Sequence, residues 1–196
     1  MSKQISKRAE QRRRNQRKVP AWPFLAGMGL LVVALMLMPS GESASSPTEE
    51  LSSAPAVVNY PAPALSLESL GGGTEDLTDY HGKVVLVNNW ATWCPPCKAE
   101  LPTLVGYYTD HAEEGFTIIG VDAGEPANVV QAFVKQAQIS YPIWLDATNQ
   151  FGKAFKVNSL PNSFVIDRNG MVRLAWVGQV SRDTLEKYVT PLLAEE

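Results

Sequence analysis

Two cysteines occur in the 196 residues, Cys94 and Cys97, separated by Pro95 and Pro96. A pair at this spacing can cycle between dithiol and disulfide, bind half a zinc site, or form a static bridge. Zinc sites usually need four ligands, and only His81 and His111 are available to join the two thiols, so a metal is not expected. A static bridge across two residues removes almost no loop entropy and contributes little stability. Thiol chemistry is left as the expected function.

The flanking sequence decides how reactive such a pair would be. Lys83 to Trp90 reads as a buried strand and Lys98 to Pro102 opens a helical pattern, so the pair falls at a strand-to-helix turn. A cysteine at a helix N-terminus meets unpaired N–H groups and the positive end of the helix dipole, which favour thiolate. Pro95 and Pro96 carry no N–H, however, so two possible donors are absent. The expected lowering of the Cys94 pKa is therefore modest, which suits a reductant better than a strong oxidant.

The run Trp90-Ala91-Thr92-Trp93-Cys94-Pro95-Pro96-Cys97-Lys98-Ala99-Glu100-Leu101-Pro102 resembles the membrane-anchored TlpA/ResA-like branch of the thioredoxin superfamily. The resemblance covers roughly residues 65–196. It implies an α/β thioredoxin-like fold, a central mixed sheet flanked by helices, with a helix-strand insertion over 121–145. It also implies catalytic roles for Cys94 as exposed nucleophile and Cys97 as resolving thiol, the two forming the redox-active disulfide. By its place before a predicted hairpin, Pro161 corresponds to the family's cis proline, and the Leu160 backbone would pair with an extended substrate segment. Trp93 would form a partly exposed lip beside Cys94. Glu100, one helical turn after Cys97, stands where the branch keeps an acid near the cysteines; the alternative is a solvated surface charge. Asn88 replaces the buried acid of thioredoxins proper, and Asn89 stands where an aromatic is usual. Glu125 could line the cleft or face water.

The positioning elements can be read in order. Leu65 to Leu70 suggests a strand, Leu77 to Gly82 a helical turn, and Phe116 to Val121 a second buried strand. Three- and four-residue spacing puts Cys97, Glu100, Leu101, Leu104 and Tyr108 on one side of the helix after the cysteines, with Pro102 expected to kink it. Pro126 starts a helix whose apolar face would hold Val129, Val130, Phe133, Val134 and Ala137. Pro142 to Leu145 is a short strand candidate and Thr148 to Lys156 a helical stretch. Asn169-Gly170 is a strong hairpin signal between Ser163 to Asp167 and Met171 to Val177. Ser181 can cap a last helix burying Leu185, Tyr188, Val189, Leu192 and Leu193.

The N-terminal third has a different character. Residues 1–18 carry eight basic side chains against one acid, Glu10, and residues 19–38 carry no charge at all. Twenty apolar residues match one membrane span, and the basic run in front keeps the N-terminus in the cytoplasm. The expectation is a basic cytoplasmic segment (1–18), an uncleaved transmembrane signal-anchor (19–38), a flexible Pro/Ser/Ala linker (39–64) and a folded domain (65–196) on the outer side of the cytoplasmic membrane. A cleaved signal peptide is the rival. The rest of the chain is net acidic, which argues against nucleic acid as partner.

A monomeric, single-pass thiol-disulfide oxidoreductase without a cofactor is thus expected, reducing protein disulfides. The resemblance implies clients such as apocytochrome c and electrons from a membrane partner of CcdA/DsbD type. A disulfide-forming oxidase, a copper-handling SCO-like metallochaperone and a peroxiredoxin-like peroxidase are the alternatives. SCO proteins want a separate histidine ligand and usually a longer cysteine spacing, and peroxiredoxins want Thr where this chain has Ala91.

Overall fold

The computed structural model describes residues 54–195. The basic segment 1–18, the span 19–38 and most of the linker lie outside the described residues. Among those described, no helix is long and apolar enough to cross a membrane.

The centre is β4 (Val84–Trp90), every residue of which is buried. It pairs in parallel with β5 (Phe116–Asp122) and antiparallel with β7 (Asn162–Ile166). Runs such as Val-Val-Leu-Val suit a strand covered on both faces. The other strands are β1 (Ala56–Pro61), β2 (Ser66–Ser69), β3 (Thr74–Asp76), β6 (Ile143–Leu145) and β8 (Met171–Val177). All eight join one mixed sheet in the order β1-β8-β7-β4-β5-β6-β2-β3.

Successive strand residues point to opposite faces. Val84, Leu86 and Trp90 of β4 join Leu101, Leu104, Tyr107, Trp176 and Leu185 in one core. Val85 and Val87 join Ile119, Val121, Trp144 and a cluster of Phe151, Phe155 and Phe164 in the other. The first core is covered by α1 (Pro95–His111), α4 (Arg182–Tyr188) and α5 (Thr190–Leu193). Phe151 and Phe155 come from α3 (Gln150–Phe155) on the opposite face. The predicted insertion is present as α2 (Ala127–Gln136) and β6, the latter parallel to β5.

Several expectations need correction. The linker predicted over 39–64 is cut short by β1, which pairs antiparallel with β8, so the folded region begins before residue 65. Five of the six β1 residues are exposed, so the strand has no buried-face alternation to reveal it. On α1 the buried residue is Tyr107, with Tyr108 only partly covered against Tyr141. Pro102, the expected kink position, removes one i to i−4 bond without ending α1. On α2 only Val130 is fully buried and Val129 is 40% exposed. The last helix breaks at Val189, because Pro191 lacks an N–H and cannot continue it.

Candidate active site

The end of β4 and the start of α1 bring the cysteines together. Cys94 is the N-cap of α1, with extended backbone, and Pro95 and Pro96 occupy the first turn, where a missing N–H costs no intrahelical bond. The Cys94 amide donates to the Ala91 carbonyl at 3.2 Å, closing the turn that presents the cysteine. Cys94 and Cys97 are joined as a disulfide with Cα atoms 5.3 Å apart. The Cys97 amide donates to Cys94 Sγ at 3.3 Å, the one backbone donor that the two prolines leave in place.

Cys97 is fully buried, and Cys94 is only 3% exposed. This corrects the expectation of an exposed nucleophile: with the disulfide closed, the Cys94 sulfur is turned inward toward Cys97. What opening it has faces a groove of ≈ 720 Å³ lined by Trp93, Cys94, Pro96, Asn89, Asn158 and Leu160, among others. Trp93 is 64% exposed, as its predicted place on the lip requires. The Leu160–Pro161 peptide bond is cis. Leu160 lies just before β7, and among the described residues its own amide and carbonyl have no backbone partner.

Glu100 is not a surface charge. It is fully buried on the side of α1 that also buries Cys97, one turn away. One carboxylate oxygen accepts from Asn88 Nδ2 and the other from the Val180 amide, each at 2.9 Å. Asn88 also donates to Ser163 Oγ at 3.0 Å, tying β4, β7 and α1 together beneath the cysteines. Burial pushes the Glu100 carboxyl up to about 7, against the pull of the two hydrogen bonds.

That shift has a consequence for stability. The folded protein keeps the Glu100 proton up to about pH 7, whereas the unfolded chain releases it near the ordinary value of 4.5. The contribution is therefore fully present below about pH 4.5 and is lost as pH rises toward 7. At 1.36 kcal/mol per unit the loss is roughly 3 kcal/mol. Glu100→Gln is expected to flatten this fall in urea unfolding measured at pH 5 and pH 7.5. Part of the slope should persist through Asp122, raised by burial to about 7. A slope unchanged by Glu100→Gln would contradict the assignment.

The histidines stay apart from this site. His81 lies against the hairpin turn at Gly170, and His111 pairs with Glu114 at the far end of α1. Among the described residues no group of three or more His, Cys, Asp or Glu could hold a metal ion. Asn89 is buried, opposite Asn162 on β7, and lines the groove. The sequence left Glu125 undecided and gave no part to Asp122 or Thr92. In the structure Glu125 bonds Thr92 just before Cys94, and Asp122, ending β5, is fully buried beside it. The visible signal for Asp122 was a carboxylate directly after an apolar strand.

A redox-capable cysteine pair at the start of α1, its first member bordering a groove shared with a cis-proline loop, defines a thioredoxin-like thiol-disulfide oxidoreductase. The AhpC/TSA family model matches residues 58–175, and the chain belongs to that family. It is 35% identical over 132 residues to the thiol-disulfide oxidoreductase ResA of Geobacillus kaustophilus, covering 67% of this chain and 76% of that protein. Against ResA of Bacillus subtilis the identity is 34% over 128 residues, covering 65% and 72%. A crystal structure of a thiol:disulfide interchange protein of the thioredoxin family from Chlorobium tepidum matches with a TM-score of 0.64 and 32% identity, covering 71% of this chain and 99% of that one.

Proposed function

We propose that this oxidoreductase works as a dithiol reductant of protein disulfides, tethered to the outer side of the cytoplasmic membrane. The observation that carries the reading is that, of the two cysteines, only Cys94 borders the groove, next to Trp93 and the Leu160–Pro161 bond. In the reduced protein the Cys94 thiolate attacks one sulfur of the client disulfide. A Cys94–client bond forms, the client S–S bond breaks, and the second client sulfur leaves as thiolate and takes up a proton. Cys97, after passing its proton to Glu100, attacks Cys94 Sγ; the Cys94–Cys97 bond forms and the first client sulfur departs. The client segment lies extended along Leu160, whose backbone groups are available for pairing. The reduced state is then restored by a membrane electron donor of CcdA/DsbD type. Clients are proteins with paired cysteines, such as apocytochrome c in the TlpA/ResA-like branch.

The tether rests on sequence: a basic run, twenty uncharged residues, then a Ser- and Pro-rich stretch up to β1. A reporter fused after Glu196 is expected to be active only outside the cytoplasm, with the full-length protein retained in membranes after a salt wash. Recovery of a shortened soluble form would show cleavage instead. The direction of electron flow is tested by the reduction potential of the Cys94–Cys97 couple.

A further inference from the structure

Glu125 has no part in the steps above, yet its carboxylate grips one residue twice. Oε2 accepts from the Thr92 amide and Oε1 from Thr92 Oγ1, each at 2.6 Å. Thr92 is the second residue of the turn that the Cys94 amide closes onto the Ala91 carbonyl. Bonds to a carboxylate are roughly twice as strong as neutral ones, so this is a firm non-covalent hold on the turn. The grip is itself braced. Asp122 Oδ1 accepts from the Glu125 amide at 2.8 Å, and the Ala123 amide donates to the Trp90 carbonyl at 2.9 Å. Asp122 is fully buried, and its Oδ2 has no hydrogen-bond partner among the described residues. Burial first, and then its interaction with the Glu125 side chain, push Asp122 up to about 7.

We propose that Glu125, braced by Asp122, is a positioning residue for thiol-disulfide exchange: by holding Thr92 it fixes the turn from which Cys94 is brought onto Cys97, and so favours the closed disulfide. The step it serves, on the dithiol reading above, is resolution. Cys97 Sγ bonds Cys94 Sγ, the bond from Cys94 to the client sulfur breaks, and that sulfur leaves with the electron pair and takes up a proton. The grip is in place while the disulfide is closed; on this proposal it is weaker in the dithiol, so its loss falls on the oxidised form.

The test equilibrates the full chain in detergent with glutathione buffers and measures the ratio of dithiol to disulfide at Cys94 and Cys97. Removing a charge-assisted pair of bonds with Glu125→Ala is expected to shift the ratio about tenfold toward the dithiol, about 30 mV less negative. Thr92→Val, which removes one donor, should shift it less in the same direction, and Thr92→Ser should restore it. Adding Thr92→Val to Glu125→Ala should change little further, since both break the same contact. A ratio within about twofold of wild type in Glu125→Ala, with only the urea midpoint lowered, overturns the proposal. If Glu125→Ala does not fold, the contrast between Thr92→Val and Thr92→Ser decides it. The ratio is read on the cysteines themselves, so it is independent of whether the reduced chain opens a client disulfide, the failure that would sink the reductant reading.

Discussion

Cys97→Ser is expected to convert the protein into a trap that retains client proteins in mixed disulfides at close to one per chain, whereas Cys94→Ser captures none. The asymmetry follows from position. Cys94 borders the groove and heads the helix, while Cys97 is fully buried a turn behind it. Without Cys97 the Cys94–client bond forms but has no thiolate to break it, and external thiols must reach a nearly buried sulfur. Without Cys94 no bond to the client forms, and reduction should fall to the rate of uncatalysed exchange. The check is non-reducing electrophoresis of membranes from cells carrying each variant, with the adducts released by a reductant. Trapping by Cys94→Ser and not by Cys97→Ser would reverse the assigned roles.

Glu100→Gln is expected to slow resolution of the mixed disulfide about 100-fold at neutral pH, the scale of a lost general base. Cys97 must lose its proton in a fully buried setting, and Glu100 is the carboxyl on its own helix face, within one turn. With its pKa pushed up to about 7 by burial, Glu100 is protonated and idle as a base in acid, and becomes available as pH rises through that value. The wild-type rate of resolution should therefore climb across about pH 6 to 8, and the glutamine variant should lose that rise. The substitution keeps an acceptor for the Val180 amide or for Asn88 Nδ2, so the fold should survive it. Single-turnover release of a fluorescent thiol from the mixed disulfide, followed across this range, makes the comparison. Equal rates and equal pH profiles in the two proteins would remove Glu100 from the mechanism.

Much of this site is legible in the residues themselves. The cysteine spacing, the apolar run of β4 and the Asn169-Gly170 turn each carry a local signature, and together they place the pair at a strand-to-helix junction. The cis bond at Pro161 is implied by the resemblance alone, since nothing local marks it. Other features depend on long-range register. Whether Glu100 is buried depends on β4 and β7 bringing Asn88 and Ser163 under α1. Glu125, braced by Asp122, meets Thr92 only because β5 lies parallel to β4 with Asp122 opposite Trp90. The choice between Tyr107 and Tyr108 is a choice between the three- and four-residue steps from Leu104, both allowed on a helix. Strand β1 has Val57 and Tyr60 to favour extension, but its exposed pattern resembles the tether before it.

The most direct test of a reductant role is the reduction potential of the Cys94–Cys97 couple in the full chain, equilibrated against glutathione or dithiothreitol buffers at pH 7. With only the Cys97 amide and the helix end to stabilise a Cys94 thiolate, the potential is expected near thioredoxin's roughly −270 mV, while a value near the roughly −120 mV of a strong oxidase would contradict it.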